Sequence, residues 1–485
     1  MNGWTQEGSI PSRLNGGKYM IIGKGSKNIT LFTQMANRHG IVSGATGTGK
    51  TVSLQVITEQ FSKAGVPVFL VDVKGDLAGI AKRGQLQDKV KERVQELEMT
   101  TFKTEACPVI FWDMFGDNGH PIRASISDMG SLLLGRLLSL SPTQVGTLTQ
   151  IFKIAEDYDL PLIKLRDLQS VAQYVELFAK DFAEEYGKIS TASIGAILRG
   201  LLVLETEEVN KLFGEPKLRI LDLMRMKDGR GIVNILSAEK LITKPKVYTT
   251  FLLWLLSELY TKLPEVGDRE KPQLVFFFDE AHLLFEDAPK VLLEKVEQVI
   301  RLIRSKGVGI FFVTQSPADI PTNVLGQLGN RVQHALRAYT PKDSKAVRIM
   351  AQTFRSNPKI NVEQAITQLK VGEALVSLLD ENGTPEIVER VLMHPPSSQI
   401  GPISNEERAQ LMKCSPLHEV YEREINAKAA YHIIKNIREE QKRETQLKPK
   451  TRKGKQPENL METVMNTFAK SNSSSLGSKI FKLLK

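Results

Sequence analysis

Three stretches of this chain carry residue types at spacings that could do chemistry together. The first is Gly44-Ala45-Thr46-Gly47-Thr48-Gly49-Lys50-Thr51, which has the G-x-x-x-x-G-K-[ST] spacing of a phosphate-binding loop. Its glycines let the backbone wrap closely around an anion. A helix that starts at the end of such a loop aims free N–H groups and a positive dipole end at phosphate. Gly44 to Thr51 therefore form the nucleotide-binding set, with Lys50 on the β- and γ-phosphates and the Thr51 hydroxyl on Mg²⁺. The second stretch is the apolar run Gln273-Leu274-Val275-Phe276-Phe277-Phe278, which ends in Asp279-Glu280. Asp279 suits the same Mg²⁺, directly or through water. Glu280 suits activation of an attacking water. The third is Gly309-Ile310-Phe311-Phe312-Val313-Thr314-Gln315, whose polar tip Gln315 can sense a γ-phosphate or orient water. Each stretch also has a blander use: a glycine-rich turn, a core strand ending in surface acids, a strand-end side chain bonded to backbone. Their joint occurrence favours the catalytic use. Ala281-His282 completes the letters D-E-A-H, but the other motifs of that helicase group are not evident and the letters carry no weight.

These residues need a strand before the loop and a helix after it. Gly40-Ile41-Val42-Ser43 supplies the strand, and the helix runs to about Ala64, stopped by Gly65. Val66 to Asp72 and Pro108 to Asp113 read as buried strands of the parallel type. Asp72 then stands at a strand's carboxyl end, where ligands sit in open α/β sheets; a capping role for nearby Asp76 is the alternative. Tyr19 to Gly23 and Ile29 to Phe32 read as short strands attached to the sheet. Gln85 to Met99 reads as a charged helix. From Ser125 to Arg225 apolar spacings of three and four replace strand patterns, with caps such as Ser141-Pro142-Thr143. Gly231 to Leu236 returns to strand, Val247 to Leu263 is a buried helix, and a helix through Lys306 places Arg301 and Arg304 on one face. Asn330 to Arg337 alternates as a strand, and a hairpin joins Ala374–Leu379 to Glu386–Val391. The expected fold is α/β with a mainly parallel sheet. It divides into a first core part (1–124), a helical insertion (125–225), a second core part (226–395) and a charged helical extension (396–485).

The bulk numbers set limits on this. A chain of 485 residues with 41% hydrophobic and 25% charged residues has the composition of a globular protein large enough for two or three domains. A net charge of +10 admits an anionic partner such as DNA, although part of the excess lies in the Lys/Arg/Pro run from Lys448 to Pro457. That run reads as a solvated linker. Ser471 to Lys485 ends in an amphipathic stretch around Ile480, Phe481, Leu483 and Leu484. The two cysteines, Cys107 and Cys414, make neither a disulfide framework nor a metal spacing. The N-terminus lacks the apolar core of a signal peptide, and the most apolar window, Phe251 to Leu256, is too short to span a bilayer. The expected location is the cytoplasm, with no membrane partner.

The chain resembles the bacterial HerA-like ATPases of the HerA/FtsK superfamily, within a group of unassigned cellular function. The resemblance rests on Arg38-His39-Gly40-Ile41-Val42-Ser43-Gly44 leading into the loop, Val71 to Asp76, Phe278 to His282, Val313-Thr314-Gln315-Ser316-Pro317 and Gly329 to Arg337. It implies a RecA-like sheet, ATP and Mg²⁺ as ligands, and a hexameric ring of identical chains. It also implies that an arginine from the neighbouring chain completes each site. Arg304 matches that arginine, with Arg301 as the alternate and a plain surface role as the other use of either. Archaeal HerA carries a β-barrel before its loop. The stretch before Gly44 is too short for one, which counts against a nuclease partner and DNA-end processing. DNA translocation is one expectation. A nucleotide-regulated scaffold, binding proteins through the helical insertion and tail, is the other.

Overall fold

The structure is a computed structural model that describes residues 18–286, 290–315 and 317–447. The expectations placed on residues 1–17 and from Lys448 onward lie outside those residues. The described residues divide into two compact units, the first those up to Arg123 with Pro216–Glu424, the second Ala124–Glu215 with those from Ile425 onward.

The first unit is built on a sheet of twelve strands. In chain order they are β1 (Tyr19–Lys24), β2 (Asn28–Phe32), β3 (Gly40–Ser43), β4 (Val68–Asp72), β5 (Val109–Asp113) and β6 (His120–Pro121). Then come β7 (Val233–Ser237), β8 (Leu274–Phe278), β9 (Val308–Thr314), β10 (Asn330–Gln333), β11 (Glu373–Ser377) and β12 (Glu389–Met393). Their spatial order is β2-β1-β12-β11-β10-β3-β9-β8-β4-β7-β5-β6. From β10 to β6 every neighbouring pair is parallel. β11, β12, β1 and β2 extend that sheet by antiparallel pairing. The two N-terminal strands are thus a sheet attachment, as their sequence pattern suggested.

The reason for the parallel centre lies in composition. β4, β8 and β9 are buried along their whole length, so they read as unbroken apolar runs rather than alternating ones. Side chains on β8 point alternately to the two faces. Phe277 meets Phe311 at a ring-centroid distance of 5.1 Å and Phe61, from helix α1 (Lys50–Lys63), at 6.2 Å. Phe276 stacks at 4.7 Å on Phe69. The Phe61–Phe277–Phe311 cluster fixes α1 against the strands that carry the three chemical stretches. Phe277 is 1% exposed. Phe277→Ala is therefore expected to destabilise the unit by about 3–5 kcal/mol, read as a lower urea midpoint.

A second tie to α1 is polar. The buried Glu59 carboxylate accepts hydrogen bonds from Ser397 N–H and Ser398 N–H, both at 2.8 Å, and from the Ser398 hydroxyl at 2.5 Å. Gln55, one turn earlier, donates to Ser398 Oγ at 2.7 Å and to the Gln399 carbonyl at 2.9 Å. Burial pushes the Glu59 carboxyl above its usual range. The segment after β12 is in this way fastened along the loop's own helix.

The second unit is helical: Ile126–Leu137, Pro142–Asp157, Leu165–Leu177, Ala179–Tyr186 and Thr191–Thr206, with Ala430–Leu447 packed on Leu165–Leu177. Ser125 with Asp128, and Ser141 with Gln144, form capping boxes, which satisfy N–H groups that a helix start leaves free. Its limits differ from the expected ones. Residues 216–225 lie in the sheet unit, and the chain from Ile425 joins the helices. Within the expected helical insertion, the helical pattern from Leu165 to Glu185 is broken at Phe178. Within the expected helical extension, the chain from Ser415 forms turns and irregular backbone until Ala430. Among the described residues no single helix is long and apolar enough to cross a membrane. Cys107 and Cys414 are both free thiols.

Candidate nucleotide-hydrolysis site

The sheet order brings the three stretches together. β3 leads into the loop, β9 lies directly beside it, and β8 lies next to β9. The parallel registers place Ser43 opposite Thr314 and Phe278 opposite Phe312. The loop, Gln315 and Asp279-Glu280 therefore leave the sheet at the same edge, the carboxyl ends of its parallel strands, where ligands sit in open α/β sheets.

The loop is held by its neighbours. Gly44 N–H donates to the Thr314 carbonyl at 3.3 Å and Ala45 N–H to the Ala335 carbonyl at 2.8 Å. Gly372 N–H donates to the Thr48 carbonyl at 3.2 Å, and the Thr48 hydroxyl donates to the Ala45 carbonyl at 2.7 Å. Gly44 has φ 151° and Gly49 has φ 108°, conformations that disfavour side chains. A methyl group on Gly44 would also stand 2.6 Å from His334 Cβ. Gly49 precedes α1, whose first N–H groups have no intrahelical partner. Thr51 is the second residue of that helix. Lys50 Nζ donates back to the carbonyls of Gly44 at 2.5 Å and Ala45 at 3.0 Å. Burial lowers its pKa, while Asp279 and Glu280 hold it up.

One chain of hydrogen bonds links the loop to the acid. The Thr46 hydroxyl donates to Gln315 Oε1 at 3.1 Å, and Gln315 Nε2 donates to Glu280 Oε1 at 2.9 Å. Glu280 N–H donates to Asp279 Oδ1 at 2.9 Å. Glu280 itself has φ 48° and ψ 47°, the left-handed region that non-glycine residues seldom enter, and this turns its side chain toward Gln315. Its second oxygen, Oε2, is buried with no hydrogen-bond partner among the described residues; His282 Nδ1 stands 3.5 Å away. Burial of the Asp279 carboxyl, with the Glu280 charge beside it, pushes its pKa up to about 7. Tyr248 donates its hydroxyl to the Asp279 carbonyl at 2.6 Å and fixes the end of β8. Two adjacent acids, one raised by its neighbour and the other with an unpartnered buried oxygen, fit a divalent cation: such an ion relieves both costs.

Asp72 and Arg304 take no part in that chain of hydrogen bonds. Asp72 ends β4, but its oxygens accept from the N–H groups of Gly75 at 2.8 Å and Leu77 at 3.1 Å, so it shapes its own loop. Arg304 lies in the turn Ile303–Lys306 before β9, not on the helix Lys290–Leu302 that carries Arg301. β9 separates it from Gln315, and a strand of that length spans about 20 Å at 3.3 Å per residue. Arg304 donates to Asp268 at 3.2 Å and lies close enough to Arg38 to lower its pKa. It cannot reach the loop of its own chain. Sequence reasoning missed His334, which packs under the loop, and Glu59. The first carried no signal beyond following an alternating strand, and the second is a single acid within an otherwise ordinary helix.

Comparisons with known proteins bear on the family and the fold. A model of the helicase HerA-like C-terminal family matches residues 18–481. A probable helicase of Methanocaldococcus jannaschii is 26% identical over 164 residues, covering 33% of this chain and 28% of that protein. The chain thus spans less than a third of that relative. The bacterial conjugative coupling protein TrwB, solved with sulphate, superposes with TM-score 0.50 at 15% identity over 76% of this chain and 89% of that one. The same protein in complex with the ATP analogue ADPNP gives TM-score 0.52 at 15% identity, over 76% and 86%. These superpositions show the shared RecA-like fold. The chain belongs to the helicase HerA-like C-terminal family, and its fold is that of the P-loop ATPases.

Proposed function

We propose that this chain is the subunit of a hexameric ring motor that hydrolyses ATP with Mg²⁺ and uses DNA as its track. The observation that carries the reading is the bridge Thr46–Gln315–Glu280. It connects the phosphate loop to the acid through a side chain that a γ-phosphate can displace. Most of the N–H groups of Gly44 to Thr51 cradle the phosphates, and Lys50 leaves the Gly44 and Ala45 carbonyls to neutralise them. The Thr51 hydroxyl and Asp279 would hold Mg²⁺, which when bound shields phosphate charge. Gln315 turns from Thr46 to the nucleophilic water and keeps Glu280 in place. Glu280 accepts that water's proton. Arg304, too far from its own loop, serves the loop of the neighbouring chain and stabilises charge there. Support for DNA comes from the net charge of +10 and from the probable-helicase relative.

The test is phosphate release by the full chain, with and without Mg²⁺, against a panel of DNA and RNA forms, alongside a mass measurement with and without ATP. The expected result is Mg²⁺-dependent turnover that rises with DNA and falls steeply with salt, in a particle of six chains. Turnover indifferent to every nucleic acid at all salts would remove the DNA track and leave the nucleotide-regulated scaffold as the better reading. A persistent monomer would remove the role of Arg304.

A further inference from the structure

His334 follows β10 directly and is fully buried, at 0% exposure. Its backbone N–H donates to the Ser43 carbonyl at 2.7 Å, so the residue runs alongside the strand that enters the phosphate loop. The imidazole then lies beneath that loop. Its Cβ is the atom a methyl on Gly44 would strike, and its Cε1 stands 3.8 Å from where a methyl on Gly49 would be. Both bounding glycines of the loop thus rest against this one residue.

The ring's tautomer follows from its partner. Nδ1 lies 2.9 Å from the Glu373 carbonyl, and a carbonyl can only accept, so the proton is on Nδ1. Nε2 is then a bare acceptor. It is buried and has no hydrogen-bond partner among the described residues. The neutral ring is enforced twice, since burial and the nearby Lys50 charge lower its pKa to about 4. His39, also buried, shows the usual solution: its Nε2 meets the Ile300 carbonyl at 2.7 Å and its Nδ1 accepts from Ile310 N–H at 3.1 Å. A buried acceptor left without a donor costs stability comparable to a lost hydrogen bond, and native proteins leave few of them.

The loop has donors to offer. In this structure Lys50 is folded back on the Gly44 and Ala45 carbonyls. When it moves to a phosphate, the Gly44 carbonyl loses that donor while Ala45 keeps the Thr48 hydroxyl, and the turn at Gly47 to Gly49 can re-aim an N–H group. The atom of His334 nearest Gly49 is Cε1, which is bonded to Nε2. We propose that His334 is a positioning residue of the phosphate loop. Its Nε2 accepts a hydrogen bond from a backbone N–H at the Gly49 turn once a triphosphate fills the loop, and this bond holds the loop in its phosphate-bound form. His334 touches no phosphate; it acts through the loop. The inference rests on the reading of Gly44–Thr51 as the ATP site.

The test uses the full chain, a non-hydrolysable ATP analogue and two substitutions. Asparagine at 334 can reproduce the Nδ1 donor to Glu373 but has nothing at the Nε2 position. Glutamine can place an amide oxygen near that position. His334→Asn is expected to bind the analogue about tenfold more weakly, the size of one buried hydrogen bond, and His334→Gln to stay within about threefold of the parent chain. In ¹⁵N-histidine-labelled parent protein, the His334 Nε2 resonance is expected to move upfield on saturation with the analogue, and the Nδ1 resonance to stay in place. Its signal is assigned by its loss in either variant. If the parent chain binds the analogue and Nε2 does not move, or if His334→Asn binds as the parent does, the proposal is wrong while the ATP site stands. If the parent binds no analogue at saturating Mg²⁺, the ATP reading itself fails and takes the proposal with it. The assignment needs only one of the two variants to fold and the shift itself is read in the parent chain, so one substitution that fails to fold still leaves a decisive result.

Discussion

Glu280→Gln is expected to keep ATP binding and to lower turnover by about a thousandfold. The amide is isosteric, so the bond from Gln315 Nε2 to the remaining Oε1 at 2.9 Å can persist and the loop-to-acid bridge stays intact. What is lost is the capacity to take a proton, and general-base assistance of this kind contributes about 10²–10⁴-fold. The measurement is phosphate release against binding of a fluorescent ATP analogue. Binding unchanged with turnover lost assigns the proton to Glu280. Undiminished turnover would sink that assignment and direct attention to Asp279. The second oxygen sharpens the expectation. Glu280 Oε2 is buried without a hydrogen-bond partner among the described residues, so the parent carboxylate has an unused acceptor there, and glutamine can fill that position only with a donor or a weaker acceptor.

Arg304→Ala is expected to have an effect of similar size for a different reason. A trans arginine contributes about 10³–10⁵ to phosphoryl transfer, so turnover should fall by about a thousandfold or more. Nucleotide affinity should change little, because the loop, Lys50 and Thr51 are untouched. Chain stability should also hold. Arg304 is a third exposed and its partner Asp268 more so, and exposed ion pairs contribute little. Arg301→Ala is the matched control: its side chain is exposed on the helix that ends at Leu302. If Arg301→Ala lost turnover and Arg304→Ala did not, the alternate arginine would take the role. β9 stands between Arg304 and its own loop, so a loss of turnover in Arg304→Ala would point to a neighbouring chain's site.

The parts of the site that the sequence disclosed are those whose chemistry is local. A phosphate loop is a property of eight consecutive residues, and a buried parallel strand is a continuous apolar run, so Gly44–Thr51, Asp279-Glu280 and Gln315 were all legible before any fold was known. Their mutual placement was not. That β9 lies between β3 and β8 is a fact of sheet order, and only this order lets Gln315 bridge Thr46 and Glu280. Contacts across long separations were silent as well. Glu59 meets Ser397 and Ser398 from the middle of α1, and nothing in a helical pattern marks an acid that will be buried by a segment more than three hundred residues on. His334 sat inside an alternating strand pattern that any side chain could satisfy. Helix ends failed for a plainer reason: the break at Phe178 and the turns between Ser415 and Ala430 are set by packing, which overrides propensity.

The account's central claim is that one active site is divided between two chains, and mixing two inactive chains tests it most directly. Glu280→Gln and Arg304→Ala chains, each near-inactive alone, are co-assembled, and particles containing both are isolated by two affinity tags. Where an Arg304→Ala chain supplies the loop and Glu280, its Glu280→Gln neighbour supplies an intact Arg304, so a complete site re-forms. The account predicts phosphate release well above that of either variant, at a level set by the fraction of such pairings. Mixed particles no more active than the two variants apart would contradict it.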